Sequence, residues 1–455
     1  MKPGTEMNVF KACDIRGLAG SELTDSLARR IALALGTRFQ GQRVAVGGDV
    51  RLSTPGLQRI LTAGLAESGC QVYDLGTVAT PVFYYAIKAL QLDGGVMVTA
   101  SHNPAPYNGF KMVFGPQPVT EADVAEIGRL VVENSRIHGE GSVQPKPVIA
   151  SYLHDTAAYC QPGKLHVVVD AGNGATAGIA SQLFRKLGYK TTPLFDTADG
   201  TFPHRPPNPA LAENLAALGQ AVRDCGADLG VAFDGDGDRV GFVDENGRVV
   251  SNDDIIVLLA RQYLEQEKGA VIYDAKCSMV AREEIEKAGG RAVMARAGHT
   301  FCKDAFQREN ALFAGEISGH FFFRELGYDD GMFAGVKVCE FVAKHGRLAA
   351  LAAAIPKYPL TPDIRVPYLG RDKEAVLDAL ALAHAAYQPN RIDGVRLEFP
   401  DGWGMIRASV TEPLFTLRFE ARTVARLKEI AALLAAPLPE ELRQAIREKT
   451  PEEWR

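Results

Sequence analysis

No Cys-x-x-Cys pair occurs in this sequence, and its seven cysteines (Cys13, Cys70, Cys160, Cys225, Cys277, Cys302 and Cys339) are odd in number and widely scattered. That argues against a disulfide framework or a zinc ribbon and predicts a reducing, cytoplasmic setting. Also missing is any run of about 18 uncharged apolar residues, so no membrane span is expected. The opening stretch MKPGTEMNVFKACDIRG holds no apolar core of the length a secretory leader needs. Nor is there an excess of one charge: 50 Lys plus Arg against 55 Asp plus Glu leave a net charge of -5. Bulk charge therefore gives no reason to expect a nucleic acid or an anionic membrane surface as partner. A basic pocket inside the balanced total is not excluded.

What is present is ordinary globular composition, 46% apolar and 23% charged over 455 residues. That length allows roughly two to four domains. The clearest pattern is a loose threefold repeat. Gln42–Asp49 (QRVAVGGD), Leu165–Asp170 (LHVVVD) and Ala270–Asp274 (AVIYD) are short β-branched runs ending in Asp. Helical patterns follow at Pro55–Ser68, Ala177–Leu187 and Ser278–Ala288, which predicts parallel strands in βαβ units. From Arg365 the order changes to strand, helix (Lys373–Tyr387), three strands (Gly394–Phe399, Gly404–Val410, Leu414–Glu420) and a final helix, Thr423–Leu434. This order predicts a separate α+β domain. Boundaries are expected near Gln144–Pro147, Ser251–Asp254 and Pro356–Pro362.

Four segments carry chemistry. Thr99-Ala-Ser-His-Asn-Pro104 follows an apolar run, and Pro104 sets a turn that would leave Ser101 on a tight loop at a strand end, with Lys111 close behind. A serine nucleophile or an Asn-Pro turn with hydroxyl caps both fit. Asp234-Gly-Asp-Gly-Asp-Arg239 places three carboxylates at alternate positions, where they repel unless a cation neutralises them. Hard oxygen ligands favour Mg²⁺, Ca²⁺ or Mn²⁺. An EF-hand is disfavoured, because Arg239 stands where that loop needs glycine and the flanks read as strands. Gly315-Glu-Ile-Ser-Gly-His320 offers Glu, Ser and His on one loop, suited to the hydroxyls of a polyol. Arg407-Ala-Ser-Val-Thr-Glu-Pro413 offers an arginine, hydroxyls and backbone amides, a set that suits a phosphate dianion, though a β-hairpin turn with an incidental arginine fits as well. A glycine-rich stretch, Gly172–Gly178, is a poor dinucleotide fingerprint, since its third glycine comes one position late.

Together with Phe10-Lys-Ala-Cys-Asp-Ile-Arg-Gly17, these motifs make the whole chain resemble the α-D-phosphohexomutase superfamily, and within it the bacterial phosphomannomutase/phosphoglucomutase group. The resemblance implies three similar α/β domains with mixed sheets plus a C-terminal α+β domain, around a central cleft. It implies a phosphoserine domain over 1–147, a metal-binding domain over 148–252, a sugar-binding domain over 253–360 and a phosphate-binding domain over 361–455. Ser101 matches the serine that carries the phosphoryl group; Arg16, His102 and Lys111 match its catalytic neighbours. Asp234, Asp236 and Asp238 match the ligands of one Mg²⁺, completed by the Ser101 phosphate. Arg239, Lys276, His299, Glu316, Ser318 and His320 match substrate-binding residues, and Arg407, Ser409, Val410 and Thr411 match the loop that grips the non-reacting phosphate. The implied partners are phosphosugars, with glucose or mannose 1,6-bisphosphate as activator and intermediate. Neither nucleic acid nor membrane is implied, and a monomer is expected, with a dimer as the alternative.

Two positions depart from the family pattern: Cys13 stands where Tyr is common, and Val410 where Asn is common. The Glu-Ile-Ser of the sugar loop favours mannose and glucose phosphates, because the amino-sugar mutases tend to carry Glu-Gln-Ser. Phosphoglucosamine mutase and a non-catalytic sugar-phosphate sensor are the alternatives.

Overall fold

Each of the three β-branched runs becomes the first strand of a four-strand repeat in its own sheet; in the first sheet Ile15–Leu18 precedes it and pairs with Tyr107–Phe114. The computed structural model describes residues 6–368, 370, 372–409, 413–450 and 452–454. In the first sheet, Gln71–Thr77, Arg43–Gly48 and Gly94–Val98 run parallel and Tyr107–Phe114 joins antiparallel. The second repeats that order with Lys190–Leu194, His166–Asp170, Leu229–Phe233 and the antiparallel Val240–Asp244. The third does so with Arg291–Ala295, Ala270–Asp274, Phe313–Gly315 and the antiparallel Phe321–Phe323. In every repeat, helices link the first strand to the second and the second to the third, and a direct turn joins the third to the fourth. The four strands Gly94–Val98, His166–Asp170, Leu229–Phe233 and Ala270–Asp274 are buried at every residue, which is why they read as unbroken apolar runs.

The fourth sheet is wholly antiparallel, ordered Ile364–Pro367, Leu414–Ala421, Gly402–Ala408 and Val395–Phe399. Its core, including Leu377, Leu397, Leu417, Phe419 and Ile430, is closed on itself. By contrast, one apolar cluster runs through the first three repeats, from Val82 and Phe83 past Val169 and Phe233 to Phe313 and Phe333. The fourth domain meets the third through a small apolar contact of Ala275 and Met279 with Trp403 and Met405. Polar bonds surround that contact. The Glu420 carboxylate accepts from the Ser278 hydroxyl, from the Met279 amide at 2.6 Å and from the Trp403 indole at 2.6 Å. Arg396 lies 3.7 Å over the Trp403 ring and donates to the Ala275 carbonyl at 2.8 Å.

Local conformation shifts several element ends. The helix expected from Ala177 begins at Ile179, because Gly178 has φ +74° and cannot be helical. The strand expected from Gly394 begins at Val395 for the same reason, Gly394 having φ +80°. The helix from Lys373 ends at Ala383, and a 3₁₀ turn covers Ala385–Tyr387. The strand expected over Gly404–Val410 runs from Gly402 to Ala408, with Val410 outside the described residues. The expected last helix is followed by another, Glu440–Lys449, which buries only Leu442 and Ile446 and so leaves a faint pattern in the sequence.

Candidate active site

The three strand-ending aspartates explain how the reactive loops are held. In every repeat the functional loop is the turn between the third and fourth strands: Thr99–Pro106, Asp234–Arg239 and Glu316–His320. The aspartate closing the first strand braces that turn. Asp49 accepts from the Thr99 hydroxyl at 2.8 Å and pairs at 3.0 Å with Arg51. The guanidinium of Arg51, fully buried, donates to the carbonyls of Ser101, Asn103, Pro104 and Tyr107. Asp170 pairs at 2.7 Å with Arg205, which donates to the Phe233 carbonyl just ahead of the metal loop. Asp274 accepts directly from the Ile317 amide at 2.8 Å. Sequence reasoning saw these aspartates as strand ends; their bracing role, and Arg51 and Arg205 with it, is visible only once the turns are in place.

Ser101 has φ +49°, a left-handed conformation that strains a non-glycine residue and is characteristic of functional turns. Its hydroxyl donates to Asp234 at 2.8 Å and lies 3.3 Å from His102 Nδ1. Asp234, Asp236 and Asp238 are fully buried, with oxygens within 4.8 Å of one another. Amides of Gly237 and Arg239 donate to Asp234, and the Thr80 hydroxyl donates to Asp236 at 2.6 Å. Lys111 bonds Asp238 and lies 3.5 Å from Asp236. One oxygen of Asp236 is buried with no hydrogen-bond partner, and Asp238 Oδ1 lies 3.3 Å from His320 Nε2. Three hard carboxylates, an orphaned oxygen on Asp236 among them, beside a hydroxyl form a donor set that fits Mg²⁺. Burial, reinforced by Asp236 and Asp238, pushes the Asp234 carboxyl well above its usual range. Burial acts on Asp238 as well, but Lys111 and His320 outweigh it and hold that carboxyl well below its usual range.

Around this centre the described site residues converge on one cleft of about 870 Å³, which Arg16, Ser101, His102, Lys111, Arg239, Lys276, His299, Glu316, Ser318, His320, Arg407 and Ser409 all line. Arg16 is held by Asn103 at 2.8 Å and Asp14 at 2.5 Å. Burial pushes the His102 imidazole well below its usual pKa, with Arg239 and Arg16 adding to the shift, so the ring is neutral near pH 7. Glu316 accepts from the Gly298 amide at 3.2 Å while its other oxygen is buried without a partner. Burial, and then Asp274, push that carboxyl up to about 8. Ser318 lies 3.0 Å from His320 Nδ1, and His299 bonds Asp329 at 2.9 Å. Lys276 pairs at 2.9 Å with Asp363 of the fourth domain, and Arg407 at 2.8 Å with Asp393. Val410 and Thr411 lie outside the described residues. Tyr84 and Lys303 also line the cleft, and neither was expected there. Lys303 falls one helical turn after His299, a spacing that places the two on one face.

The family model for phosphoglucomutase/phosphomannomutase alpha/beta/alpha domain I matches residues 7–137. Those for alpha/beta/alpha domains II and III match 150–247 and 251–358, and that for the C-terminal domain matches 364–436. A phosphomannomutase/phosphoglucomutase of Pseudomonas aeruginosa is 39% identical over 440 residues, covering 94% of this chain and 95% of its own length. A phosphoglucomutase of Neisseria gonorrhoeae is 37% identical, over 93% of this chain and 95% of its own. The crystal structure of a phosphoglucomutase/phosphomannomutase family protein from Burkholderia thailandensis superposes with a TM-score of 0.89 at 35% identity, covering 95% of this chain and 98% of that one.

Proposed function

The chain belongs to the phosphoglucomutase/phosphomannomutase family and is an enzyme of the mutase class, and within that family we propose that it interconverts the 1- and 6-phosphates of mannose and glucose through a phosphorylated Ser101. The observation that carries this reading is the meeting of the Ser101 hydroxyl with Asp234, at 2.8 Å, at the base of a cleft that also holds the Glu316–His320 loop and Arg407.

Phosphoryl transfer asks the protein for in-line placement and charge neutralisation more than for covalent chemistry. Asp234, Asp236 and Asp238, with an oxygen of the Ser101 phosphate, would hold one Mg²⁺, which when bound supplies Lewis-acid neutralisation of the transferring phosphate. Arg16, Lys111 and Arg239 add positive charge around Ser101. In the first step the P–O bond to Ser101 breaks as the phosphorus bonds a sugar hydroxyl oxygen. The neutral imidazole of His102 is placed to take the hydroxyl proton. The product, a 1,6-bisphosphate, turns so that its other phosphate faces Ser101 and returns a phosphoryl group. Glu316, Ser318 and His320 would meet the sugar hydroxyls in both orientations. Arg407, Ser409, Val410 and Thr411 would hold the phosphate that is not reacting, with Lys276 and His299 lining the same cleft against the substrate.

The same reading divides the chain at 1–147, 148–252, 253–360 and 361–455, and takes it to act as a cytoplasmic monomer on phosphosugars. Among the described residues no helix is long and apolar enough to cross a membrane. A coupled assay on mannose 1-phosphate, glucose 1-phosphate and glucosamine 1-phosphate tests it. Turnover of the first two is expected; exclusive turnover of the amino sugar would overturn the choice of substrate.

A further inference from the structure

Arg407 is the main charged group that the fourth domain brings to the cleft, and its own anchor stands apart from the motifs. The Asp393 carboxylate is 4% exposed and pairs with Arg407 Nε at 2.8 Å. The same oxygen accepts from the Ala297 amide at 3.3 Å, in the third-domain loop that leads into His299. The other oxygen of Asp393 lies 3.7 Å from Arg296 Nε, and Arg296 Nη1 lies 3.4 Å from Glu121 of the first repeat. A single buried carboxylate thus ties the phosphate-loop arginine to the loop across the cleft, and through Arg296 to the first domain.

The next residue is fitted to the same end. Gly394 has φ +80°, and a Cβ there would stand 2.3 Å from the Ile406 carbonyl oxygen and 2.7 Å from Arg407 Cα. Only glycine lets the chain carrying Asp393 lie this close to Arg407. The contact is an ion pair rather than a hydrogen bond, since Arg407 Nε has no hydrogen-bond partner; the two Nη groups of an arginine form the fork that binds a phosphate bidentately.

We infer that Asp393 is a positioning residue for Arg407: it holds the guanidinium toward the non-reacting phosphate and, by accepting from the Ala297 amide, ties that arginine to the loop leading into His299. This rests on the phosphohexomutase reading above. Asp393 acts through Arg407, so its removal weakens phosphosugar binding without touching transfer from Ser101.

The test is a double-mutant cycle with D393N, which keeps size and loses charge, in the Arg407 and R407K backgrounds. Steady-state KM and kcat are measured with glucose 1-phosphate, and Kd by calorimetry on the same proteins. D393N is expected to raise KM and Kd about tenfold while kcat changes less than about twofold. In R407K, which has no fork to aim, the same substitution is expected to change KM less than about twofold. Thermal unfolding of each variant guards against a folding defect: a Tm near that of wild type shows that the loss of binding is local. Equal penalties in both backgrounds, or a fall in kcat with KM and Kd untouched, would overturn the inference. A wild-type chain that binds glucose 1-phosphate without converting it would refute the catalytic reading alone, and the Kd cycle would still judge Asp393.

Discussion

Replacing Lys111 with Met should leave the acidic triad without its balancing charge and make the fold depend on Mg²⁺. Lys111 lies 3.5 Å from Asp236 and closer still to Asp238, and both carboxylates are fully buried. At an effective dielectric constant of about 20, a pair at that distance is attracted by about 5 kcal/mol. Breaking a buried pair by removing one partner costs about 3–5 kcal/mol. The loss falls near the lower end, because Asp234, its carboxyl already raised by burial and by its neighbours, takes up a proton readily. For a cooperative unit of about 150–250 residues, each kcal/mol moves Tm by roughly 2–4 °C, so a drop of roughly 10 °C is expected for K111M in EDTA. Millimolar Mg²⁺ should restore much of that drop and raise the wild-type Tm less, since in the wild type Lys111 already neutralises part of the triad's charge. The assay is thermal unfolding of both proteins with EDTA and with Mg²⁺. K111M melting within about 2 °C of wild type in EDTA, or equal Mg²⁺ stabilisation of the two, would refute the assignment of Lys111 as the triad's counter-charge.

Three further outcomes follow from the same geometry. Ser101→Gly should abolish mutase activity and remove the phosphorylated species from the intact-mass spectrum; relief of the strain at φ +49° is offset by loss of the Ser101–Asp234 hydrogen bond, so stability in urea should change by less than about 1 kcal/mol, and retained turnover would count against Ser101 as the phosphoryl carrier. The Glu316 carboxyl, raised by burial to about 8, keeps its proton in the folded state over a range where the unfolded chain has lost it. Its contribution is therefore complete below the unfolded pKa of about 4.3 and fades as pH rises through about 8. Between pH 5 and pH 8.5 the urea midpoint of wild type should accordingly fall further than that of Glu316→Gln, and parallel profiles would contradict a neutral Glu316. Glu420→Ala leaves the Trp403 indole and the Met279 amide without their acceptor at the joint of the third and fourth domains; a loss of about 3 kcal/mol and faster proteolytic release of the C-terminal domain are expected, and wild-type protection would show that the joint is held elsewhere.

The sequence alone determined the chemistry-bearing segments and the repeat. Three β-branched runs ending in Asp are visible because strands buried on both faces must be continuously apolar, and that constraint is local. The triad Asp234, Asp236 and Asp238 is visible because carboxylates so closely spaced need a cation, whatever the fold around them. Element ends were less legible where a single backbone angle decided them, as at Gly178 and Gly394. What only the tertiary structure decided was equivalence and assembly. Ser101, the Asp triad and the Glu316 loop all occupy the same turn, between the third and fourth strands of successive repeats, and each is braced by the aspartate that closes the first strand. Arg51, Arg205 and Asp393 act through partners dozens of residues away or in another domain, so no spacing rule could reveal them. The net charge of -5 pointed to no anionic partner, yet folding gathers Arg16, Lys111, Arg239, Lys276 and Arg407 around one cleft. Charge is summed along a chain, but the field a ligand meets depends on distance, and only the fold sets distances between residues far apart in sequence.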